Sequence, residues 1–338
     1  MSAKPVNILA IESSCDETSA AIISDGRVLS NLIATQKVHE QFGGVVPEMA
    51  SRAHMQHIVP IVDIALQRSG ISKHEIDAVA FTQAPGLIGS LLVGACFAKA
   101  YAQALQVPLI SVHHMQAHVL AHFIEAPKPE FPFLCLTVSG GHTQIVLCKN
   151  HLEMEILGET IDDAAGEAFD KVAKMLGLPY PGGPLVDKKA MDGNARRFTF
   201  PVSDMKNYDF SFSGLKTAVL YFLQDERKKE PDFAEKNMND ICASVQYTII
   251  KMLMNKLKKA ARDMGIKQIG IAGGVSANSG LRKTLLETGE QEGWAVYIPK
   301  FEYCTDNAAM IGITGYYKYL SGEFTDLSVS PTARASWS

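Results

Sequence analysis

Three imidazoles stand within six residues in the stretch HHMQAH, residues 113–118. His114 and His118 are four residues apart, a spacing that on a helix puts both side chains on one face. His122 continues the spacing, but a helix rises ~1.5 Å per residue and so carries His122 about 12 Å from His114. Zinc–nitrogen bonds are only ~2.0–2.1 Å long. The stretch therefore predicts a metal half-site of two histidines, and a polar edge on an apolar helix is the alternative.

An oxygen donor such as Asp306 would complete that half-site. Two histidines and one carboxylate form a ligand set that is common for iron and zinc. Asp306 lies in CTDNAAM, just before a predicted helix, where an Asp is equally well suited to cap the helix N-terminus. A zinc peptidase of the H-E-x-x-H type is disfavoured, because Met115 follows His114 where that chemistry needs a glutamate as general base.

Two glycine-rich segments could bind an anion or a nucleotide. In TVSGGHT, residues 137–143, Ser139 and the two glycines after it lie between predicted strands, and glycines let backbone N–H groups approach a phosphate. In IGIAGGVSAN, residues 269–278, a strand runs into two glycines ahead of a helix, where α/β folds bind ligands. A plain hairpin turn and a tight connection capped by Asn278 are the respective alternatives.

Carboxylates lie between these two segments, in IDDAAGEAFDK and after the turn PYPGGP. Asp170, on a predicted helix, is the kind of residue that binds ribose hydroxyls. Gly183 lies in the turn and Asp187 follows it. For each acid taken alone, a solvated position on a helix face is the alternative.

The elements that must position these residues alternate between strand and helix, which predicts an α/β fold. LAIESSCDETSAAII and LCLTVSGGHTQIVL can be superimposed as two hairpins, a weak internal repeat that predicts two similar lobes facing each other across a cleft. The proline-rich stretch EAPKPEFPF separates them. We expect an N-terminal lobe over residues 1–130, with a C-terminal helix (308–338) packing back on it, and a second lobe over 131–307.

Composition restricts the classes of function. The 338 residues carry a net charge of −4, so a chain that grips nucleic acid unaided is disfavoured. The six cysteines contain no C-x-x-C pair, which predicts buried thiols in a reducing compartment. Neither a signal peptide nor a run of ~20 apolar residues is present. We therefore expect a cytoplasmic protein without a membrane partner.

Nine segments of the chain, taken in order, characterise it further: AIESSCDET, FGGVVPEMASRAH, HHMQAH, VSGGHTQ, DDAAGEAFDK, YPGGP, FSFSGLKT, AGGVSAN and CTDNAAM. In these segments the chain closely resembles the bacterial tRNA threonylcarbamoyladenosine transferases, a family once labelled glycoproteases. The resemblance runs from about Ile8 to Ile311, nearly the whole chain.

The resemblance implies an actin-like ATPase (ASKHA) fold with two duplicated α/β lobes around a cleft. It implies an acyltransferase, an N6-threonylcarbamoyladenine synthase. The threonylcarbamoyl group would pass from threonylcarbamoyl-AMP to N6 of adenosine-37 in tRNAs that read codons beginning with A. The products would be the modified nucleoside t6A and AMP.

The resemblance also implies roles for individual residues, assigned by their positions in the matching segments. One Fe²⁺ or Zn²⁺ per subunit would be held by His114, His118 and Asp306. The acyl-phosphate part of the substrate would contact Thr137, Val138, Ser139, Gly140 and Gly141. The nucleotide part would be bound by Asp170, Gly183, Asp187 and Asn278. Glu12, at the end of the first strand, is the candidate acceptor of the proton that the attacking amine loses. The alternatives are that it orients the metal ligands or caps the turn.

The resemblance also implies partners, namely tRNA, a paralogous subunit of the same fold (TsaB-type) and a small P-loop ATPase (TsaE-type). The helix KMLMNKLKKAARDMG offers Lys251, Lys258 and Arg262 along one stripe for tRNA phosphates, with Lys256 and Lys259 nearby. A solvated helix face is the alternative. An ATP-dependent kinase or ATPase of the same fold would hold magnesium with carboxylates and waters rather than with histidines. A non-catalytic scaffold subunit is disfavoured by the complete set of candidate ligands and glycine loops.

Overall fold

The computed structural model describes residues 4–335 of the chain. These residues form two compact units. Unit 1 comprises residues 4–128, 149–154 and 299–335, and unit 2 comprises residues 129–148 and 155–298. Each unit is described by itself below.

Two segments that the sequence analysis places in the second lobe pack within unit 1. His151, in the turn 149–154, stacks on Tyr317 with ring centroids 3.7 Å apart. Lys300, just ahead of CTDNAAM, forms an ion pair of 2.5 Å with Glu125. The CTDNAAM segment therefore belongs to unit 1.

Strands alternate with helices, as predicted. The strands are β1 (Asn7–Glu12), β2 (Glu17–Ser24), β3 (Arg27–Thr35), β4 (Ala78–Ala84), β5 (Leu109–His113), β6 (Phe133–Val138), β7 (Thr143–Cys148), β8 (Met154–Glu159), β9 (Gln268–Ala272) and β10 (Ala295–Tyr297). The helices are α1 (Pro47–Ser69), α2 (Ile88–Leu105), α3 (His114–Leu120), α4 (Ala165–Met175), α5 (Gly182–Ala190), α6 (Ser213–Lys229), α7 (Phe233–Lys236), α8 (Met238–Met264), α9 (Ser279–Glu292) and α10 (Ala308–Leu320).

Unit 1 is built on a five-stranded sheet in the order β3-β2-β1-β4-β5. β1, β2 and β3 are antiparallel neighbours, whereas β4 and β5 run parallel to β1. Because β1 and β4 are buried along nearly their whole length, they read as continuous apolar runs rather than alternating ones. The parallel strands end at one edge of the sheet, where Glu12 and His113 are the last residues of β1 and β5.

Unit 2 repeats this plan. Its sheet has the order β10-β9-β6-β7-β8, with β6 and β7 forming an antiparallel hairpin and β9 and β10 lying parallel to β6. Read from the other edge, the order β8-β7-β6-β9-β10 matches β3-β2-β1-β4-β5 strand for strand. The internal repeat predicted from two hairpins is thus confirmed as a duplicated topology.

Helix α2 is the one helix within residues 4–335 with the length and apolar composition to cross a membrane. Its buried residues, among them Leu91, Ala95 and Ala98, lie in the core of unit 1, where α2 packs on β4 and α1. Burial in that core explains the apolar character of this face. The outer face is also partly apolar, with Ile88 and Leu92 exposed.

All six cysteines carry free thiols, in agreement with the prediction of a chain without disulfides. Four of them are buried. Cys96 is exposed on α2 and Cys15 is half-buried in the loop after β1. The prediction of burial is therefore wrong for these two. Cys96 lies on the outer face of its helix, and Cys15 lies in a loop that is only partly covered.

Candidate metal centre and nucleotide-binding loops

The two histidines of the half-site lie at the carboxyl end of β5. The strand ends at His113 and α3 begins at His114, so His114 and His118 lie one helical turn apart. Their buried rings meet edge to face, with centroids 4.7 Å apart. The prediction that the spacing puts both on one face is confirmed.

Asp306 lies beside both histidines. Its Oδ1 atom is 3.1 Å from Nε2 of His118 and 3.3 Å from Nε2 of His114. One potential ligand atom from each of the three residues lies within 4.8 Å of the other two, and within residues 4–335 this is the one such group. His122 is not a member and lies in the 3-10 turn Ala121–Phe123 that follows α3.

The N-terminus of α10 is capped by the residue after Asp306. Asn307 accepts a hydrogen bond from the backbone N–H of Met310 at 3.0 Å. The alternative in which Asp306 caps this helix is therefore wrong. Its carboxylate faces the imidazoles instead.

Burial and charge oppose each other in this group. Burial disfavours the ionised carboxylate of Asp306, but His114 and His118 outweigh it, and the pKa of Asp306 lies well below its usual range. Burial also disfavours a charged His114, but Asp306 and Glu12 raise the pKa of His114 well above its ordinary value. Burial lowers the pKa of His118. The carboxylates thus favour positive charge at the imidazoles, which a divalent cation would supply. Two nitrogens and one oxygen fit Fe²⁺ or Zn²⁺.

Glu12 lies behind the histidines, fully buried at the end of β1. Its Oε2 atom accepts hydrogen bonds from Oγ1 of Thr82 at 2.6 Å and from Nδ1 of His114 at 3.0 Å. Its Oε1 atom accepts from the backbone N–H of Ser14 at 2.5 Å. Burial raises the pKa of Glu12, but His114 outweighs it and the pKa is lowered overall. This placement favours the alternative role of Glu12, orientation of a metal ligand.

Glycines bring α2 and the loop before it against the loop that follows β1. A Cβ on Gly86 would lie 2.5 Å from the backbone oxygen of Ser14, and a Cβ on Gly94 would lie 2.2 Å from Oγ of Ser13. Any side chain at these positions would push the two segments apart. The small residues of the α2 region therefore hold the ESSCDET loop in place beside the candidate metal centre.

The TVSGGHT turn joins β6 to β7 in unit 2. Thr137 and Val138 are fully buried strand residues. Ser139 closes the turn, since its Oγ accepts a hydrogen bond from the backbone N–H three residues on at 3.1 Å. Added Cβ atoms on Gly140 and Gly141 would meet nothing within 4 Å. The open space beside the two glycines is compatible with the binding of an anion. The side chains of Thr137 and Val138 are buried and do not face that space.

Asp170 is hydrogen-bonded to the PYPGGP turn. Oδ1 of Asp170 accepts hydrogen bonds from the backbone N–H groups of Gly182 at 2.8 Å and Gly183 at 2.9 Å. Burial raises the pKa of Asp170, although these two N–H groups act to lower it. Asp170 thus fixes the start of α5, a structural contact that its predicted role in ribose binding did not include.

The other two predicted nucleotide ligands fix the start of α9. Asp187 accepts hydrogen bonds from the backbone N–H of Ser279 at 2.9 Å and from its hydroxyl at 2.8 Å. Asn278 caps α9 by accepting from the N–H of Leu281 at 2.9 Å and donates to Oε1 of Gln246 at 2.7 Å. The N-cap alternative for Asn278 is therefore confirmed. Sequence reasoning missed Gln246, although a glutamine inside the apolar stretch ICASVQYTII is a usable signal of a buried polar contact.

The basic residues of α8 are divided between the interior and the surface. Lys256 is buried and donates to two backbone carbonyls of unit 2. Lys258 and Lys259 form ion pairs of 2.7 Å and 2.6 Å with acidic neighbours. Lys251 and Arg262 are exposed. Lys256 is therefore not available to a phosphate, because a long helix buries one side even where its sequence is charged. The stripe of Lys251, Lys258 and Arg262 stays a prediction.

Solved structures of low sequence identity share this fold. The crystal structure of full-length HypF in its phosphate- and nucleotide-bound form superimposes with a TM-score of 0.64 at 13% identity, covering 95% of this chain and 47% of that one. The chain thus spans about half the length of HypF. The ADPNP-bound activator of 2-hydroxyisocaproyl-CoA dehydratase from Clostridium difficile matches with a TM-score of 0.51 at 12% identity, covering 95% and 99% of the two chains. Fold and site together define an ASKHA-fold protein with a two-histidine, one-carboxylate group.

Sequence comparison narrows this class. The TsaD sequence model, described as tRNA N6-adenosine threonylcarbamoyltransferase, matches residues 27–313. The protein of that name from Christiangramia forsetii is 60% identical over 337 residues, 99% of each chain. The one from Porphyromonas gingivalis is 56% identical over 336 residues, 98% of each chain. The chain belongs to the tRNA N6-adenosine threonylcarbamoyltransferase family.

Proposed function

We propose that the chain transfers the threonylcarbamoyl group of threonylcarbamoyl-AMP to N6 of adenosine-37 in tRNAs that read codons beginning with A. The observation that carries this proposal is 60% identity over 99% of both chains to a tRNA N6-adenosine threonylcarbamoyltransferase. N6 forms a bond to the carbamoyl carbon, the bond from that carbon to the phosphate oxygen breaks, AMP leaves with the electron pair, and N6 loses a proton. The product is t6A.

His114, His118 and Asp306 would hold one Fe²⁺ or Zn²⁺ per chain. When bound, the metal supplies positive charge that binds phosphate and polarises the donor. The support is geometric, since one oxygen of Asp306 lies 3.1 Å and 3.3 Å from the two imidazole nitrogens. The three residues are chemically suited to these metals and lie within reach of a single ion.

In unit 2, the TVSGG turn would bind the acyl-phosphate and its N–H groups would stabilise the developing oxyanion. Gly140 and Gly141 support this role, because both lie beside open space. Asp170, Gly183, Asp187 and Asn278 would form the nucleotide-binding loops, where they hold the N-termini of α5 and α9. Helix N-termini favour anionic ligands.

The function is tested by incubating the purified chain with threonylcarbamoyl-AMP, its partner subunits and unmodified tRNA. We expect mass analysis of the digested nucleosides to show t6A, and nucleotide analysis to show an equal amount of AMP. A tRNA with guanosine in place of adenosine-37 serves as the control and should gain no modification. Absence of t6A in the complete mixture would contradict the proposal.

A paralogous subunit of the same fold would dock on the outer face of α1 and α2. Met55 and Val59 on α1 are 60% and 61% exposed, and Ile88 and Leu92 on α2 are 48% and 45% exposed. The two helices pack against each other in unit 1, so these side chains belong to one pair of helices. Several exposed apolar side chains on one pair of helices are typical of protein interfaces. A small P-loop ATPase and tRNA would complete the assembly.

The double variant Val59→Asp/Leu92→Asp is expected to bind the paralogous subunit at least ~10-fold more weakly, because two charges would be buried at the centre of an apolar interface. Binding is measured by sedimentation of the mixed subunits. The melting temperature of the isolated chain should change little, since both side chains are exposed. Met191→Asp, at a 65% exposed position in unit 2, is the matched control. Unchanged binding by the double variant would remove α1 and α2 as the docking face.

A further inference from the structure

The ring of His114 is engaged on both of its nitrogens. Nε2 lies 3.3 Å from Oδ1 of Asp306, on the side of the candidate metal centre. Nδ1 lies 3.0 Å from Oε2 of Glu12, on the opposite side. Nδ1 also lies 3.3 Å from Oγ of Ser14. Both carboxylates can only accept, so they favour a proton on each ring nitrogen when no cation is bound. A metal bound at Nε2 would replace the proton there, and the one remaining proton would lie on Nδ1, facing Glu12.

Glu12 is itself held rigidly. Thr82, on the neighbouring strand β4, donates to the same oxygen that accepts from His114, and Ser14 donates to the other oxygen. The side chain of Glu12 is completely buried, whereas Asp306 retains 23% of its side-chain exposure. A general base must come within hydrogen-bond reach of the proton that it removes. A carboxylate closed off on both oxygens is poorly placed for that task and well placed to orient a neighbour.

The geometry points to Glu12 as a positioning residue. Its carboxylate accepts a hydrogen bond from Nδ1–H of His114, fixes the orientation of the ring, and so presents Nε2 to a metal held with His118 and Asp306. Partners of this kind, behind a ligating histidine, commonly control metal affinity. The inference rests on the proposed function for the presence of the metal, and it replaces the predicted role of Glu12 as proton acceptor.

The test measures the dissociation constant for Zn²⁺ of the full-length, metal-free chain by competition with a chromophoric chelator. Glu12→Gln keeps the volume of the side chain but removes its charge, and we expect the dissociation constant to rise roughly 10- to 100-fold. Asp77→Asn is the matched control, because Asp77 also accepts a hydrogen bond at the start of β1, from the backbone N–H of Asn7 at 2.9 Å. The control should bind Zn²⁺ like the wild type.

A second pair of variants alters the hydrogen bonding of Glu12 without substituting Glu12 itself. Thr82→Val removes one supporting hydrogen bond, and we expect about a five-fold weaker affinity for Zn²⁺. Thr82→Ser keeps the hydroxyl and should restore the wild-type value. If Glu12→Gln does not fold, this pair decides alone, and equal affinities for the two Thr82 variants would overturn the inference. Wild-type affinity in a folded Glu12→Gln would overturn it as well.

Turnover at saturating Zn²⁺ separates positioning from proton transfer. A positioning role predicts that t6A formation by Glu12→Gln recovers to within a few-fold of the wild type once the site is filled. Loss of a general base would instead leave turnover about 10²- to 10⁴-fold low at any metal concentration, and that result would contradict the inference. Because the Zn²⁺ affinities need no substrate, they stand even if no t6A forms with the wild type, which would count against the proposed function alone.

Discussion

His114→Ala is expected to bind Zn²⁺ at least ~100-fold more weakly than the wild type. The structure brings one atom each from His114, His118 and Asp306 within 4.8 Å of the others, so the substitution removes one of the three proposed ligands. Loss of an outer partner alone costs about 10- to 100-fold in metal affinity, and the loss of a direct ligand should cost more. The measurement is metal content per folded chain after loading and passage over a chelating resin, together with a chelator competition.

His122→Gln is the control for this variant. His122 continues the four-residue spacing of the other two histidines but lies outside the group of ligand atoms, in the turn after α3. We expect it to keep the wild-type metal content. Equal metal loss in both variants would show that the spacing argument has assigned the wrong pair, and full retention by His114→Ala would remove the proposed centre altogether.

The half-site was predictable because its information is local. Residues four apart share a helix face whatever the rest of the fold, and α3 does begin at His114. The proposed third ligand is different, since Asp306 is 188 positions from His118. Spacing alone could not choose between a metal ligand and a helix cap for Asp306. Only the hydrogen bond from Met310 to Asn307 decides that the cap belongs to the next residue.

The contacts of several charged residues could not be predicted from sequence patterns. Asp170 and Asp187 were predicted as ligands, and the structure engages both with backbone N–H groups at helix starts. Lys256 was predicted to lie near a tRNA-binding stripe, and it is buried. A charged residue has the same sequence signature whether it meets solvent, substrate or the backbone of a distant segment, because those partners are set by tertiary contacts. The two similar hairpins were predictable, because LAIESSCDETSAAII and LCLTVSGGHTQIVL share one apolar–polar–apolar pattern. The order of the remaining strands was not, because β4 and β9 pair with segments far away in the sequence.

The sequence also does not distinguish the two neighbouring glycines Gly273 and Gly274. From the sequence alone, both are interpreted as positions that let a ligand approach closely. In the structure Gly273 has a φ of +85°, and a Cβ there would lie 2.4 Å from the backbone oxygen of Val138. Gly274 needs no such backbone conformation and has nothing within 4 Å of the same position. The first glycine is therefore required by the packing of β9 against β6, and only the second leaves open space.

Gly273→Ala is accordingly expected to destabilise unit 2 by roughly 2 to 6 kcal/mol. About 1–3 kcal/mol comes from a φ of +85° with a ψ of 165°, a conformation that is essentially restricted to glycine, and about 1–3 kcal/mol from the clash. Thermal unfolding should shift downward by on the order of 10 °C.

Gly274→Ala should change stability by no more than about 0.5 kcal/mol. Its effect should appear instead as weaker binding of AMP, measured by calorimetry, because the new methyl group occupies the space proposed for the nucleotide. Two variants of equal stability would contradict the steric assignment of Gly273. A stable Gly274→Ala with wild-type affinity for AMP would move the nucleotide away from this loop, because a ligand that contacts the loop closely cannot ignore a methyl group placed in its path.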